Sequence, residues 1–189
     1  MFAEKEGVDY AKLIRTSEGE YSMTRRPDGK KILQRMESIL VTINDKHITD
    51  LTGNVGGDTI LFALNFKEVC SIEIKEDNFL ALKNNVQQYG LTNTTLHHGD
   101  STKLYDWYTD VLYIDPPWGG PDYKEKENLD LFLGDTRIDI FVKDIIKKEW
   151  KPKHIFLKLP RNYNFPRFED LDMKKFSIRG FYLTYVSVF

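Results

Sequence analysis

The run Val111-Leu112-Tyr113-Ile114-Asp115-Pro116-Pro117-Trp118-Gly119-Gly120-Pro121-Asp122-Tyr123 decides the reading of this chain. Its first four residues are apolar and β-rich, the pattern of a buried strand, so Asp115 sits at a strand's C-terminal end. Pro116 and Pro117 fix φ and lack N–H groups, so the carbonyls around them cannot be absorbed into a regular helix. A carboxylate, rigid free carbonyls and a flat ring suit an amino group on a planar base. The oxygens accept its N–H bonds and the indole stacks on its face. Asp115, Pro116 and Trp118 are therefore the candidate catalytic residues. The competing reading is a proline-stiffened turn around a buried Trp, since short motifs recur by chance.

Outward from this run, the chain alternates strands and helices. Upstream, His47–Leu51, Val69–Ile74 and Thr94–His97 read as strands. Ile32–Leu40, Thr59–Leu64 and Asp77–Tyr89 read as helices, the last closed by Gly90. Arg25 to Lys31 reads as a charged turn, and Lys124 to Asp135 as a loop with some helix. Downstream come a helix at Ile138–Lys148, a strand at Ile155–Leu159, and two strands, Phe176–Ile178 and Phe181–Phe189, around Arg179-Gly180. The expected fold is α/β and Rossmann-like. It has a mostly parallel seven-stranded sheet, helices on both faces and a C-terminal antiparallel hairpin. Ligands of such sheets sit outside the strand C-termini at the topological switch point. Asp50, Glu73 and Asp115 would gather there along one rim.

The segment Asp50-Leu51-Thr52-Gly53-Asn54-Val55-Gly56-Gly57-Asp58-Thr59 lies between a strand and a helix. Its glycines, Gly53 and Gly56 among them, let the backbone approach a ligand. The spacing matches neither a dinucleotide fingerprint nor a P-loop. An acid beside the loop would repel a pyrophosphate but suits a cation, and S-adenosylmethionine carries an ammonium and a sulfonium. Glu73 is placed for the two ribose hydroxyls, and Asp100 for the adenine amino group. A glycine loop, two rim acids and Asp-Pro-Pro-Trp, in that order, read as a class I methyltransferase.

The 189 residues suit one domain; 41% are hydrophobic and 30% charged, as in an ordinary globular chain. A formal net charge of -2 excludes the global basic field of a non-specific nucleic-acid binder. Cys70 is the only cysteine, which excludes an intramolecular disulfide and a Cys-based zinc site, and no metal is expected. No run reaches membrane-spanning length and no signal-peptide core is evident, so an intracellular setting, cytoplasmic or nuclear, is expected and no membrane partner.

On three segments the chain resembles the trimethylguanosine synthases, the RNA cap guanine-N2 methyltransferases. Asp50 to Ala63 resembles the family's Gly-Val-Gly-Gly-Asn-Thr-Ile-x-Phe-Ala segment. Val69 to Leu91 resembles the helix after its second strand. Pro116 to Tyr123 resembles its Pro-Pro-Trp-Gly-Gly-Pro-x-Tyr signature. Ser22-Met23-Thr24 and Leu159-Pro160-Arg161-Asn162 are weaker echoes. The resemblance implies methyl transfer from S-adenosylmethionine to N2 of 7-methylguanosine at an RNA 5′ cap. It carries cofactor contacts to Thr24, Asp50, Gly53, Gly56, Thr59, Glu73, Asp100 and Asp115. It carries base stacking to Trp118, and further substrate contacts to Pro121, Tyr123, Arg161 and Asn162, the last two near the cap phosphates. Residues 1–30 become a short N-terminal extension and candidate cap- or RNA-contacting element, and 31–189 the methyltransferase domain. Capped RNA is the implied partner; a protein partner and a viral or cellular source stay open. The family usually has Ser where this chain has Asp115, and Asn54 and Asp58 also depart from it. Alternatives are another amino-methyltransferase, acting on rRNA guanine N2 or adenine N6, and a non-catalytic cap-binding relative. His97 and His98 read as structural.

Overall fold

Short apolar runs separated by amphipathic helices build the molecule. The computed structural model describes residues 2–188, the side chain of Pro121 excepted. The strands are β1 (His47–Asp50), β2 (Glu68–Glu73), β3 (Thr94–His98), β4 (Val111–Ile114), β5 (Phe132–Leu133), β6 (Thr136–Arg137), β7 (His154–Pro160), β8 (Met173–Ile178) and β9 (Phe181–Ser187). The α-helices are α1 (Ser17–Ser22), α2 (Arg26–Leu40), α3 (Gly57–Ala63), α4 (Glu76–Gln88), α5 (Ser101–Leu104) and α6 (Ile138–Ile145).

Among the described residues, seven strands form one sheet in the order β3-β2-β1-β4-β7-β9-β8, and β5 and β6 pair separately. The first five strands of that order run parallel, while β9 pairs antiparallel with both β7 and β8. The fold is the expected Rossmann-like one, with its antiparallel hairpin.

All four residues of β4 are buried, and they serve two layers. Val111 and Tyr113 join Ile32, Met36 and Leu40 of α2 and Phe62 of α3. Leu112 and Ile114 join Ile138, Phe141, Val142 and Ile145 of α6 on the opposite face. Side chains alternate across a strand, so this split requires a sheet covered on both sides. The chain runs outward from β1 to β3 and then crosses back to β4 beside β1. The crevice at the switch point therefore opens above the C-terminal ends of β1 and β4.

Three local expectations are corrected. Arg25–Lys31 is not a turn. Pro27 stands in the first turn of α2, where its fixed φ and missing N–H cost nothing, and Asp28 and Gly29 are buried there. The expected boundary at residue 30 thus falls inside a helix, and Phe2 packs with Val55, Ile60, Leu82 and Tyr89. β8 begins at Met173, earlier than Phe176, because an edge strand tolerates Lys174 and Lys175. α6 ends at Ile145, not Lys148. Among the described residues no helix is long and apolar enough to cross a membrane.

Candidate active site

A cleft of about 750 Å³ lies over the C-terminal rim of the sheet. Its cofactor-side wall is the turn between β1 and α3. Gly56 precedes α3 at φ 96, a left-handed conformation that glycine adopts without penalty. The turn is held from below. Asp50 is fully buried and does not line the cleft: its Oδ1 accepts from the Thr52 N–H at 3.0 Å, and its Oδ2 from the Thr59 hydroxyl at 2.7 Å. Burial, reinforced by the neighbouring Asp58 charge, pushes the Asp50 carboxyl up to about 7.

The expectation that Asp50 faces a cationic ligand is therefore corrected. Its side chain turns beneath α3 rather than out past the strand end, and it braces the loop. Gly56 and Thr59 likewise stand behind the cleft wall, one as the turn and one as the brace, while Gly53 lines the cleft.

Glu73, at the end of β2, lines the cleft and is nearly buried. Its Oε2 accepts from the Asn54 N–H at 2.7 Å and its Oε1 from the Lys75 N–H at 2.8 Å. Burial raises its pKa despite those bonds. Each oxygen keeps lone-pair capacity for a hydroxyl. Asp100 also lines the cleft, as the N-cap of α5; its Oδ1 accepts from the Thr102 N–H and hydroxyl, and its Oδ2 lies 3.2 Å from Lys103 Nζ. Those bonds outweigh burial and lower its pKa.

α1 closes this end. Thr16 caps it, Glu18 binds Lys75 and Asn78, and Ser22 accepts from the Asn54 amide at 2.7 Å. This helix was not expected, although Thr16 and Ser17-x-x-Glu20 are helix-start signals, and Glu18, Tyr21 and Ser22 line the cleft.

The opposite wall is the proline motif. The Asp115 N–H donates to the Thr52 hydroxyl at 2.8 Å, tying the tip of β4 to the β1 turn. Among the described residues nothing donates to the Pro116 carbonyl. Trp118 packs edge-to-face against Tyr123, ring centroids 5.0 Å apart; its buried indole N–H makes no close hydrogen bond but lies near enough to the Asp115 carboxyl to lower its pKa. Both rings line the cleft, as do Arg161 and Asn162. Arg161 donates to Ser177 and lies over the Tyr182 ring, with the guanidinium exposed. Asn162 is corrected as a phosphate contact: its amide N–H groups both go, at 2.7 Å, to the carbonyls of Tyr123 and Lys126. It is a strut for the aromatic loop. Pro121 lies outside the described side chains.

One central residue escaped the sequence reading. Lys158, inside the apolar strand β7, reaches the cleft floor and places its Nζ 2.6 Å from Asp115 Oδ2 and 2.9 Å from the Thr24 hydroxyl. Thr24 donates in turn to Asp58, as does Tyr113. The Thr24 hydroxyl is thus committed to this network, although the residue lines the cleft. The legible signal was a lone lysine in His154-Ile155-Phe156-Leu157-Lys158-Leu159-Pro160. His97 and His98 pack against Trp107 and Phe79, as structural residues.

The residues fit S-adenosylmethionine. Asp58 Oδ1 is buried in the cleft wall without a partner, an acceptor matched to an ammonium donor. Glu73 would hold the ribose, and Ile74, Asp100 and Ser101 border the space beyond it.

Comparison with known proteins agrees. The profile of a family described as RNA cap guanine-N2 methyltransferase matches residues 45–178. An uncharacterized protein of Acanthamoeba polyphaga mimivirus, L320, is 33% identical over 152 residues, covering 78% of this chain and 56% of that protein. Trimethylguanosine synthase of Schizosaccharomyces pombe is 30% identical over 135 residues, covering 67% of this chain and 55% of the synthase. The chain thus spans little more than half the length of these relatives. Among solved structures, a Thermus thermophilus 16S rRNA N2 G1207 methyltransferase (RsmC), in complex with AdoMet and guanosine, superposes with a TM-score of 0.66. It is 14% identical, and the match covers 88% of this chain and 44% of that one. With the fold and cleft of an S-adenosylmethionine-dependent methyltransferase and a profile match across most of its length, this chain belongs to the RNA cap guanine-N2 methyltransferase family.

Proposed function

We propose that this chain transfers a methyl group from S-adenosylmethionine to the exocyclic N2 of 7-methylguanosine at the 5′ cap of an RNA. One observation carries the reading. Asp115, the unpaired Pro116 carbonyl and Trp118 face the cleft across from Glu73 and the β1 turn. A base stacked on Trp118 would turn its amino edge toward two acceptors and toward the cofactor side. The named relative is a trimethylguanosine synthase, and the superposed rRNA enzyme modifies a guanine N2.

The guanine amine is a poor nucleophile because its lone pair is delocalised into the ring. Orientation is therefore the main work of the site, and it supplies at most about 7–11 kcal/mol. Asp115 and the Pro116 carbonyl accept from the amine, favour a pyramidal nitrogen and stabilise the charge that grows there. Trp118 offers an electron-rich face to the cationic 7-methylguanine ring. Arg161 offers a planar fork of donors at the cleft mouth to the cap phosphates. Held at Glu73 and Asp58, the cofactor would supply an electrophilic methyl whose S–C bonding pair stays with sulfur as the N–C bond forms, and N2 would shed its proton to water.

Mass spectrometry of 7-methylguanosine cap analogue, incubated with the protein and S-adenosylmethionine, tests the reading. The product should gain the mass of one or two methyl groups, and an unmodified cap would reject it. Asp115 favours a second reading, methylation of another base amine, because the resemblance expects Ser at this position. Parallel assays on unmethylated cap and on adenine-containing RNA separate the two.

A further inference from the structure

Lys158 is out of place for stability. Its side chain is 6% exposed and that of Asp115 17%, and the lysine sits in a strand packed by Phe156 and Leu183. Removing an ammonium from water is costly, and apolar replacement of a buried ion pair is often neutral or stabilising. Yet the site invests in this pair. The Nζ is held by Asp115 and Thr24 and lies 5.5 Å from the Trp118 ring centre and 5.3 Å from that of Phe181. It binds one carboxylate oxygen, Oδ2; among the described hydrogen bonds Oδ1 takes none.

We propose that Lys158 is the positioning residue of the transfer site: it locks Oδ2 of Asp115, turns Oδ1 to the substrate's amino edge and supplies the countercharge that lets this position be an aspartate. The proposal rests on the amine-methylation reading above. The charged and titratable groups around the pair are Asp28 on α2, Asp58 on α3, Asp50 on β1 and Tyr113 on β4. Among the described residues these neighbours are carboxyls and a phenol, and Lys158 is the cation that faces them at the cleft floor. Burial pushes the Asp115 carboxyl up to about 6, with Lys158 pulling it down and Asp58 pushing it up. Without the lysine, burial and Asp58 are opposed chiefly by the indole N–H of Trp118.

The test is a carbon-13 NMR titration of the Asp115 carboxyl in ligand-free wild type, Lys158→Met and Lys158→Arg. It is paired with calorimetry of S-adenosylmethionine and pH–rate profiles on 7-methylguanosine cap analogue. In Lys158→Met the Asp115 midpoint should rise by about one unit or more, since it loses a direct ion-pair partner. The acid limb of kcat/KM should rise with it. Cofactor Kd should stay within about threefold, well under the tenfold that 1.4 kcal/mol would give. Lys158→Arg should restore most of the profile. An unmoved midpoint in folded Lys158→Met, or a rate loss flat in pH, overturns the proposal. If Lys158→Met does not fold, the double variant Asp115→Asn/Lys158→Met, which lacks both charges, should fold and lose the acid limb; a persisting limb overturns the proposal. A shifted midpoint with no wild-type rate on the cap would sink the cap reading and leave the pair's role standing.

Discussion

At the scale of the residue, the site divides into groups that touch the cleft and groups that hold them. Trp118 is of the first kind. Trp118→Ala should lower kcat/KM on 7-methylguanosine cap roughly thirtyfold or more, the equivalent of a desolvated cation–π contact of about 2 kcal/mol. Calorimetric affinity for S-adenosylmethionine should be nearly unchanged; an equal loss of both would make the indole a folding element. Thr59 is of the second kind. Its hydroxyl serves the buried Asp50 and lies 2.9 Å from Ser71. Thr59→Val leaves a buried carboxylate short of a donor and should cost about 1–3 kcal/mol in urea unfolding, with Thr59→Ser restoring most of it. Asp115 and Trp118 were legible in the sequence because prolines make a strand end conspicuous. The role of Lys158 was not, because a lone lysine between leucines is conspicuous but does not name a partner 43 residues upstream.

At the scale of the element, the cleft wall formed by α1 depends on close approach. A Cβ on Gly19 would lie 2.7 Å from a methyl of Val55, which is fully buried in the β1 turn. Gly19→Val should lift α1 from that turn, break the Ser22–Asn54 bond and weaken cofactor binding about tenfold, or 1.4 kcal/mol. Isothermal titration checks this, and unchanged affinity would remove α1 from the wall. This helix and the first turn of α2 were hard to read for a physical reason. Gly19, Pro27 and Gly29 count as breakers in isolation, whereas a proline in the first helical turn is a start signal and a glycine can mark contact. The central strands β4 and β7 were readable because each is an apolar run bounded by polar turns. The start of β8 was not, because an exposed edge carries the charges of a loop.

At the scale of the whole molecule, acids gathered at one rim set the response to pH. Asp50, Asp115 and Glu73 all hold protons more tightly in the folded protein than in the unfolded chain. Between their ordinary range near pH 4 and the raised values of about 6 and 7, the native state binds more protons, so stability falls as pH rises. Asp110, Asp130 and Asp170 are shifted the other way, and their contribution is lost in acid below the ordinary range. The melting temperature of the ligand-free protein should therefore peak near pH 4, where these two windows meet, and decline toward pH 7. A melting temperature that climbs steadily from pH 4 to 7 would contradict this balance. The order of rim acids along the chain was visible in the sequence, but their mutual crowding was not, because it arises only where the crossover brings β1 and β4 side by side.

The place of β9 between β7 and β8 bears on synthesis. A ribosome that has released residues up to Pro160 has delivered the parallel strands but leaves β7 with one edge bare, and Lys158 without Phe181 beside it. An unpaired apolar edge is a sticky surface while it lasts. The β8–β9 hairpin can therefore dock on β7 only after Ser187 has been released, and this side of the cleft floor forms later than the parallel strands beside it.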